Sequence, residues 1–265
     1  MLCPVVARTG ARPARLCLFA GPYLVTGEEV TALPEGGKRL VALTALNGGR
    51  VERRQAAGVL WPIGDDVRAV GNLRSALWRL RAAGLEVLGA DKHRVWIRPE
   101  IETDADLLSR WAARLIDGGP ARPPIDEAYW RHCRPGLLPG WHDDWVAPHR
   151  ERLRQRVLHA MEALAVRLTA ARDLDRALAV AREVTTAEPL RESAHRILAA
   201  ALRSGGRLAE AQAAYATFRS AAGTRFGPDA GATIRAALVG PGGGSRAGQP
   251  TVGPPELRTI VPRRA

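Results

Sequence analysis

The residues of this 265-residue chain whose types and spacing could do chemistry gather between Asp65 and Gly84, in DDVRAVGNLRSALWRLRAAG. If that stretch is one helix, Arg68, Asn72, Arg74, Ser75, Trp78 and Arg79 share a side, with Arg81 at its border. Guanidinium, amide and hydroxyl groups on one face can reach phosphates and base edges together. Arginine can pair at two points with guanine, and asparagine with adenine, each good pair giving roughly 1 to 3 kcal/mol of discrimination. A solvated surface helix would carry the same charges, so the surrounding elements must decide.

The helix itself is well specified. With about 100° per residue, Ala69, Leu73, Ala76, Leu77 and Leu80 form one apolar stripe opposite the polar groups. Asp66 can accept hydrogen bonds from the free amides of the first turn and oppose the helix dipole, and Gly84 can end the helix. Gly71, inside it, costs about 1 kcal/mol relative to alanine, and could permit close backbone approach to DNA.

Positioning this helix requires the elements before and after it. Lys38 to Leu46 reads as a first helix ended by Asn47-Gly48-Gly49, and Glu52 to Trp61 as a second, with Ala56, Val59 and Leu60 on one face and Pro62 and Gly64 as terminators. Short strands are expected over Leu16 to Val25 and Thr31 to Leu33, around a turn at Gly27-Glu28-Glu29. After Gly84, Leu85 to Leu88 and His93 to Arg98 alternate as strands around Gly89-Ala90-Asp91-Lys92, a hairpin whose tip carries Lys92, His93 and Arg94. Strands, two helices, a basic helix and a hairpin make the order of a winged helix-turn-helix.

Composition sets the outer bounds. The net charge of +12, from 39 Lys and Arg against 27 Asp and Glu, favours a polyanionic partner over most others. Lys38 and Lys92 are the only lysines, and the chain is rich in alanine and glycine, a bias that GC-rich coding also produces. The placement of the charge therefore counts for more than its total. Cys3, Cys17 and Cys133 are odd in number and far apart, which argues against a disulfide framework and for a reducing compartment. No apolar run approaches the roughly 20 residues of a membrane helix, and Leu16 to Val25 makes a poor signal peptide. A cytoplasmic, nucleoid-associated protein is expected.

From Thr103 onward the chain reads as helical. Asp104 to Asp117 buries Leu107, Leu108, Trp111 and Leu115 on one face, Pro120 to Pro124 is a loop, and Arg150 to Leu168 is a long amphipathic helix. Near Tyr129, Trp130, Trp141 and Trp145 lie His132, Cys133, His142, Asp143, Asp144 and His149, all possible metal ligands. No HExxH or CxxC spacing joins them, so no metal is expected. Asp173-Leu174-Asp175-Arg176-Ala177 recurs 34 residues later as Arg207-Leu208-Ala209-Glu210-Ala211, the tetratricopeptide period. Leu164 and Leu168 correspond to Leu198 and Leu202, and Ala181 to Tyr215, while Met161 and His195 occupy the signature tryptophan position. Thr224 to Val239 would close the array with one more helix. Such arrays serve protein contacts more often than chemistry.

The segment ALNGGRVERRQAAGVLWPIGDDVRAVGNLRSALWRLR and the later RVWIRPEIETDADLL resemble the Streptomyces antibiotic regulatory protein family. The matches are the Leu60-Trp61-Pro62 end of the second helix, Asn72 to Leu77, and Asp104 in the link; Leu138 to Val146 fit an LLPGW…WV segment of the second domain. The resemblance implies a winged helix followed by a bacterial transcriptional activator domain, in the short form without an ATPase domain. It further implies tandem binding to direct repeats near a promoter, with self-association on DNA, and control of a secondary-metabolite gene cluster. The loop Pro62, Ile63, Gly64, Asp65 and Asp66 would face RNA polymerase.

The expected fold is mainly α with small β: a loose basic arm over 1–14, a winged helix over 15–100, a tetratricopeptide-like helical domain over 103–239 and a disordered tail over 240–265. The expected function is a sequence-specific transcription regulator, an activator, reading the major groove with Val67–Ala83. Asn72, Arg74, Ser75, Trp78 and Arg79 are the candidates for groove contacts, and Arg53, Arg54, Arg68, Lys92 and Arg94 for phosphates. Trp78 has two readings, packing against the wing or lying along sugars. A protein-interaction adaptor with a degenerate winged helix is the alternative function. An enzyme is not expected, because phosphate loop, GxSxG elbow, HExxH and paired cysteines are all missing, and no cofactor is called for.

Overall fold

The computed structural model describes residues 14–119, 136–226 and 231–239. The expected basic arm up to residue 13, the Pro120–Pro124 loop, Tyr129, Trp130, His132, Cys133 and the expected tail from 240 lie outside the described residues.

Two small sheets frame the first helices. Strands β1 (Ala14–Cys17), β2 (Tyr23–Thr26) and β3 (Glu29–Ala32) run antiparallel as neighbours, and β7 (Ile101–Thr103) joins the other edge parallel to β1, giving the order β3-β2-β1-β7. The second sheet has the order β4-β6-β5, from β4 (Arg50–Glu52), β5 (Leu88–Ala90) and β6 (Arg94–Ile97). Between them pack α1 (Glu35–Leu46), α2 (Arg53–Leu60) and α3 (Asp66–Ala82). The second part contains α4 (Asp104–Ile116), α5 (Val146–Ala170), α6 (Leu174–Ala187), α7 (Glu192–Ser204), α8 (Leu208–Phe226) and α9 (Ala232–Val239). The fold is thus mainly helical with a small β portion, as expected.

Several boundaries differ from those read in the sequence. The first helix begins at Glu35 rather than Lys38, after Pro34, whose fixed φ is compatible with a helix entrance. Residues 50–52 pair with the wing as β4, so the second helix starts at Arg53 and ends at Leu60. The hairpin lies farther along than expected, with Leu85 to Glu86 outside it and its turn at Asp91–His93. One Asp91 carboxylate oxygen accepts from the amides of His93 and Arg94, both at 2.7 Å, fixing the turn there. The expected turn at Gly27-Glu28-Glu29 gives up Glu29 to β3, which ends at Ala32. The long helix runs from Val146 to Ala170, and the last expected helix divides between the end of α8 at Phe226 and α9.

One buried apolar cluster runs from Leu16, Leu40, Leu73 and Leu80 into Leu108, Trp111, Leu115, Leu138 and Leu158. The winged portion and the first helices of the second portion therefore share a core. Polar bonds reinforce the junction: the buried Asp104 carboxylate accepts from the amide of Leu18 at 2.9 and 2.8 Å and from that of Phe19 at 3.2 Å. Leu138 N–H donates to the Leu18 carbonyl at 2.9 Å.

The repeat pairs α5 with α6 and α7 with α8, and α6 and α8 begin at residues 174 and 208. Both divergent signature positions remain internal. Met161 is buried, and His195 packs on Phe218 with ring centroids 4.7 Å apart. Small residues at Ala165, Ala177, Ala181, Ala201 and Ala211, all buried, let the helices approach closely.

Candidate nucleic-acid interface

The α3 helix meets the condition for a groove-reading element. Ala69, Leu73, Ala76, Leu77 and Leu80 are all buried, while Arg68, Arg74, Ser75, Trp78, Arg79 and Arg81 are exposed and Asn72 is half-buried. The N-cap is Asp65, not Asp66: its carboxylate accepts from Arg68 N–H at 2.7 Å, and Asp66 adds negative charge within the first turn. Arg79 and Arg81 sit in the last turn, where cations favour the helix dipole.

The candidates for groove contact do not form one uniform face. At 100° per residue the outermost line is Val67, Gly71, Arg74 and Trp78, with Ser75 beside it, whereas Asn72 and Arg79 fall on its flank. The Arg79 side chain lies across the first turn of α1, where a Cβ on Gly36 would collide with its guanidinium. Next to it, a Cβ on Gly37 would stand 2.7 Å from Leu80 Cδ2, so α1 rests directly on α3 through two glycines. Trp78 is 68% exposed, which corrects the reading in which it packs against the wing. Ser75 Oγ donates to the Gly71 carbonyl at 3.2 Å, leaving its lone pairs as acceptors.

The candidates for phosphate contact divide into two groups. Arg53 is half-buried, and its Nη1 donates to the Asp91 carbonyl at 2.9 Å while its N–H bonds to the His93 carbonyl at 2.7 Å. Arg94 Nε donates to Glu52 Oε1 at 2.7 Å, and that hydrogen bond with the carboxylate's charge holds the guanidinium pKa above its ordinary value. These two arginines hold the wing against the start of α2. Arg54, Arg68, Arg74 and Lys92 are exposed and make no hydrogen bond or ion pair through their side chains with other described residues. Of the expected contacts on α2, α3 and the wing, these are the cations left for an external partner. The two hydrogen bonds from His93 and Arg94 amides keep the Asp91 carboxyl below its usual pKa, so the wing tip also carries a fixed negative charge beside Lys92.

Val67 was not among the expected contacts. It is 82% exposed at the head of α3, and Ile63, in the loop before it, is 92% exposed. The signal that could have found Val67 is its spacing: Val67, Gly71, Arg74 and Trp78 repeat the spacing of Ala69, Leu73, Ala76 and Leu80 two residues earlier, about 200° around the helix.

The possible metal ligands among the described residues do not form a site. Asp143 pairs with Arg39 of α1, the half-buried His149 has its pKa lowered by burial and then by Arg152, and no group of three or more ligating side chains assembles among the described residues. No helix among the described residues is long and apolar enough to cross a membrane.

Two comparisons with known proteins bear on the family and the fold. Residues 124–238 match the family model described as the bacterial transcriptional activator domain. The fold is similar to that of Mycobacterium tuberculosis EmbR, solved in complex with a low affinity phosphopeptide, with a TM-score of 0.64 and 19% sequence identity. That likeness covers 86% of this chain and 64% of EmbR, so the chain spans less than two thirds of the relative's length. No curated protein matches the sequence.

Proposed function

We propose, from the premise that this is a transcription regulator of the Streptomyces antibiotic regulatory protein type, with an activator domain behind a winged helix, that it binds promoter DNA sequence-specifically through α3 and activates transcription. The observation that carries the reading is the outer face of α3: Arg68 and Arg74 stand exposed and unpaired among the described residues, opposite a fully buried stripe, with Lys92 of the wing free alongside. Arg74, Ser75 and Trp78 supply contacts within the groove, with Asn72 at the edge of that surface. Arg54, Arg68 and Lys92 supply phosphate contacts, and Arg53 and Arg94 chiefly hold the wing in place.

The target is a pair of direct repeats upstream of genes in a secondary-metabolite cluster, as the family resemblance implies, with two copies of the chain bound side by side. The Pro62–Asp66 loop faces RNA polymerase, as the family resemblance implies, and its Ile63 is almost wholly in water.

The test is selection of bound sequences from random DNA with the full chain, followed by titration of the selected site at several salt concentrations. Each neutralised phosphate contributes about −0.9 to the slope of log K against log salt. Three free phosphate-facing cations predict a slope of about −3 per bound chain, against about −4.5 if Arg53 and Arg94 also served. A flat response with no recovered motif would leave the helical array, as a protein-interaction adaptor, to be the functional part.

A further inference from the structure

The outer line of α3 is apolar at both ends, bare at Gly71 and charged at Arg74. Val67 and Trp78 are 82% and 68% exposed, and a Cβ built on Gly71 meets nothing within 4 Å. Single exposed hydrophobic residues need no explanation. Here two of them, and a glycine that weakens the helix, lie on the same line as Arg74, which is exposed and unpaired among the described residues. A solvated surface would be served better by the long polar helix formers that fill most such positions.

The major groove offers one apolar group that such a surface can recognise. Thymine alone presents a methyl group there, at C5, whereas the other bases present only donors and acceptors. In helix-turn-helix proteins the N-terminal residues of the recognition helix meet the base edges, and Val67 and Gly71 occupy the first part of α3. Building on the DNA-binding reading above, we infer that Val67 and Gly71 are specificity-determining residues that read thymine. The Val67 isopropyl group packs on a thymine methyl, the missing Cβ at Gly71 lets the helix backbone descend onto that base-pair edge, and Arg74 meets a guanine within reach of the same turn. Ser75, its hydroxyl hydrogen committed to the Gly71 carbonyl at 3.2 Å, adds an acceptor suited to an amino group of adenine or cytosine.

The experiment uses the full chain and the site recovered by selection. Each thymine is replaced in turn by deoxyuridine, which removes only the methyl, and affinities are measured by fluorescence anisotropy for the natural chain and for Val67→Ala. One replacement in each half-site is expected to lower affinity about fourfold, the worth of one buried methyl-sized group. Val67→Ala is expected to lose a similar factor on the thymine duplex and to become indifferent to deoxyuridine at that position, the signature of a coupled pair. A recovered motif in which every thymine can be replaced without loss overturns this inference and leaves DNA binding standing. Recovery of no motif overturns both. A Val67→Ala chain that keeps its affinity and its response to deoxyuridine but fails to support transcription with RNA polymerase also overturns it, assigning Val67 with Ile63 to a protein partner.

Discussion

Replacing Gly71 by alanine should stabilise the protein and impair its binding to DNA, a combination that few readings of this helix allow. Gly71 is the sixth residue of the 17-residue α3, well inside its hydrogen-bonded ladder. Glycine there costs about 1 kcal/mol relative to alanine, mainly in backbone entropy. Because an added Cβ meets nothing within 4 Å, no steric penalty offsets that gain. Gly71→Ala should therefore raise the unfolding free energy by about 0.8 to 1 kcal/mol, or about 2 to 4 °C in Tm for a cooperative unit of this size. On DNA the same methyl group would stand between helix and base edge, and overpacking a close interface costs roughly 1 to 3 kcal/mol, a loss of about tenfold or more in affinity. Urea unfolding gives the first quantity and anisotropy titration on the selected site the second. A more stable Gly71→Ala chain with undiminished affinity would refute the close approach of DNA to this part of the helix. A less stable one would refute the open, regular helix on which the argument rests.

Arg74→Ala should lower specific affinity about tenfold to a hundredfold without changing the unfolding midpoint, because its side chain is exposed and has no partner among the described residues. Arg79→Ala, whose guanidinium lies over Gly36, should cost less affinity and show its effect in stability, and equal losses of affinity would refute this division. In the helical array, Glu162 is buried against Arg191, at 2.7 and 3.0 Å, and Ser193; burial pushes its carboxyl up, but these hydrogen bonds more than offset that and hold it below its ordinary value of 4.5. Its contribution is present above pH about 4.5 and lost as pH falls further, and Glu162→Gln should cost about 3 kcal/mol in urea unfolding, a cost under 1 kcal/mol refuting the pairing. Burial depresses the pKa of His195 from 6.5 despite its bond to the Pro189 carbonyl, so below that pH the unfolded chain binds a proton that the folded chain refuses. Stability should thus fall between pH 7 and 5, and His195→Phe should flatten that fall; an unchanged slope would remove His195 as its cause.

Much of the candidate site was legible because α3 obeys a single rule over its whole length. Five apolar residues at helical spacing name the buried face, and the structure buries all five. What spacing cannot supply is the reach of long side chains. Arg53, Arg79 and Arg94 look in sequence like Arg54 and Arg74, yet each is engaged by a partner distant in the chain: the Asp91 carbonyl, Gly36 and Glu52. The short strands were hidden for the same reason. Residues 50–52 and 101–103 are too few to show alternation and become strands only by pairing with β6 and β1. The wing was displaced because the sequence offers two turn signals, Gly89 and Asp91, and the carboxylate of Asp91 decides between them by binding two amides. Val67 carries neither charge nor hydrogen-bonding group, so its residue type gives no signal in the sequence, and only its 82% exposure on the outer line of α3 marks it.

The expected separation into a reading domain and an activating domain has a physical qualification. The link between them is itself a strand, Ile101–Thr103, hydrogen-bonded along β1, and the buried Asp104 that follows spends its carboxylate on the amides of Leu18 and Phe19. α1 touches both parts: its glycines 36 and 37 lie on Arg79 and Leu80 of α3, and its Arg39 pairs with Asp143 in the segment before α5. A shared apolar core continues beneath these contacts. Removing the acceptor at Asp104 would leave two buried amides unpaired, each costing about 1 to 3 kcal/mol, so the arrangement resists hinge motion at this point. If α3 reads DNA as proposed, these contacts hold the helical array at a fixed angle to that DNA. On the proposed function, the orientation and spacing of the DNA repeats would then decide what the array can touch. Inserting half a helical turn between repeat and promoter should abolish activation in a transcription assay, whereas unchanged activation would refute a rigid junction.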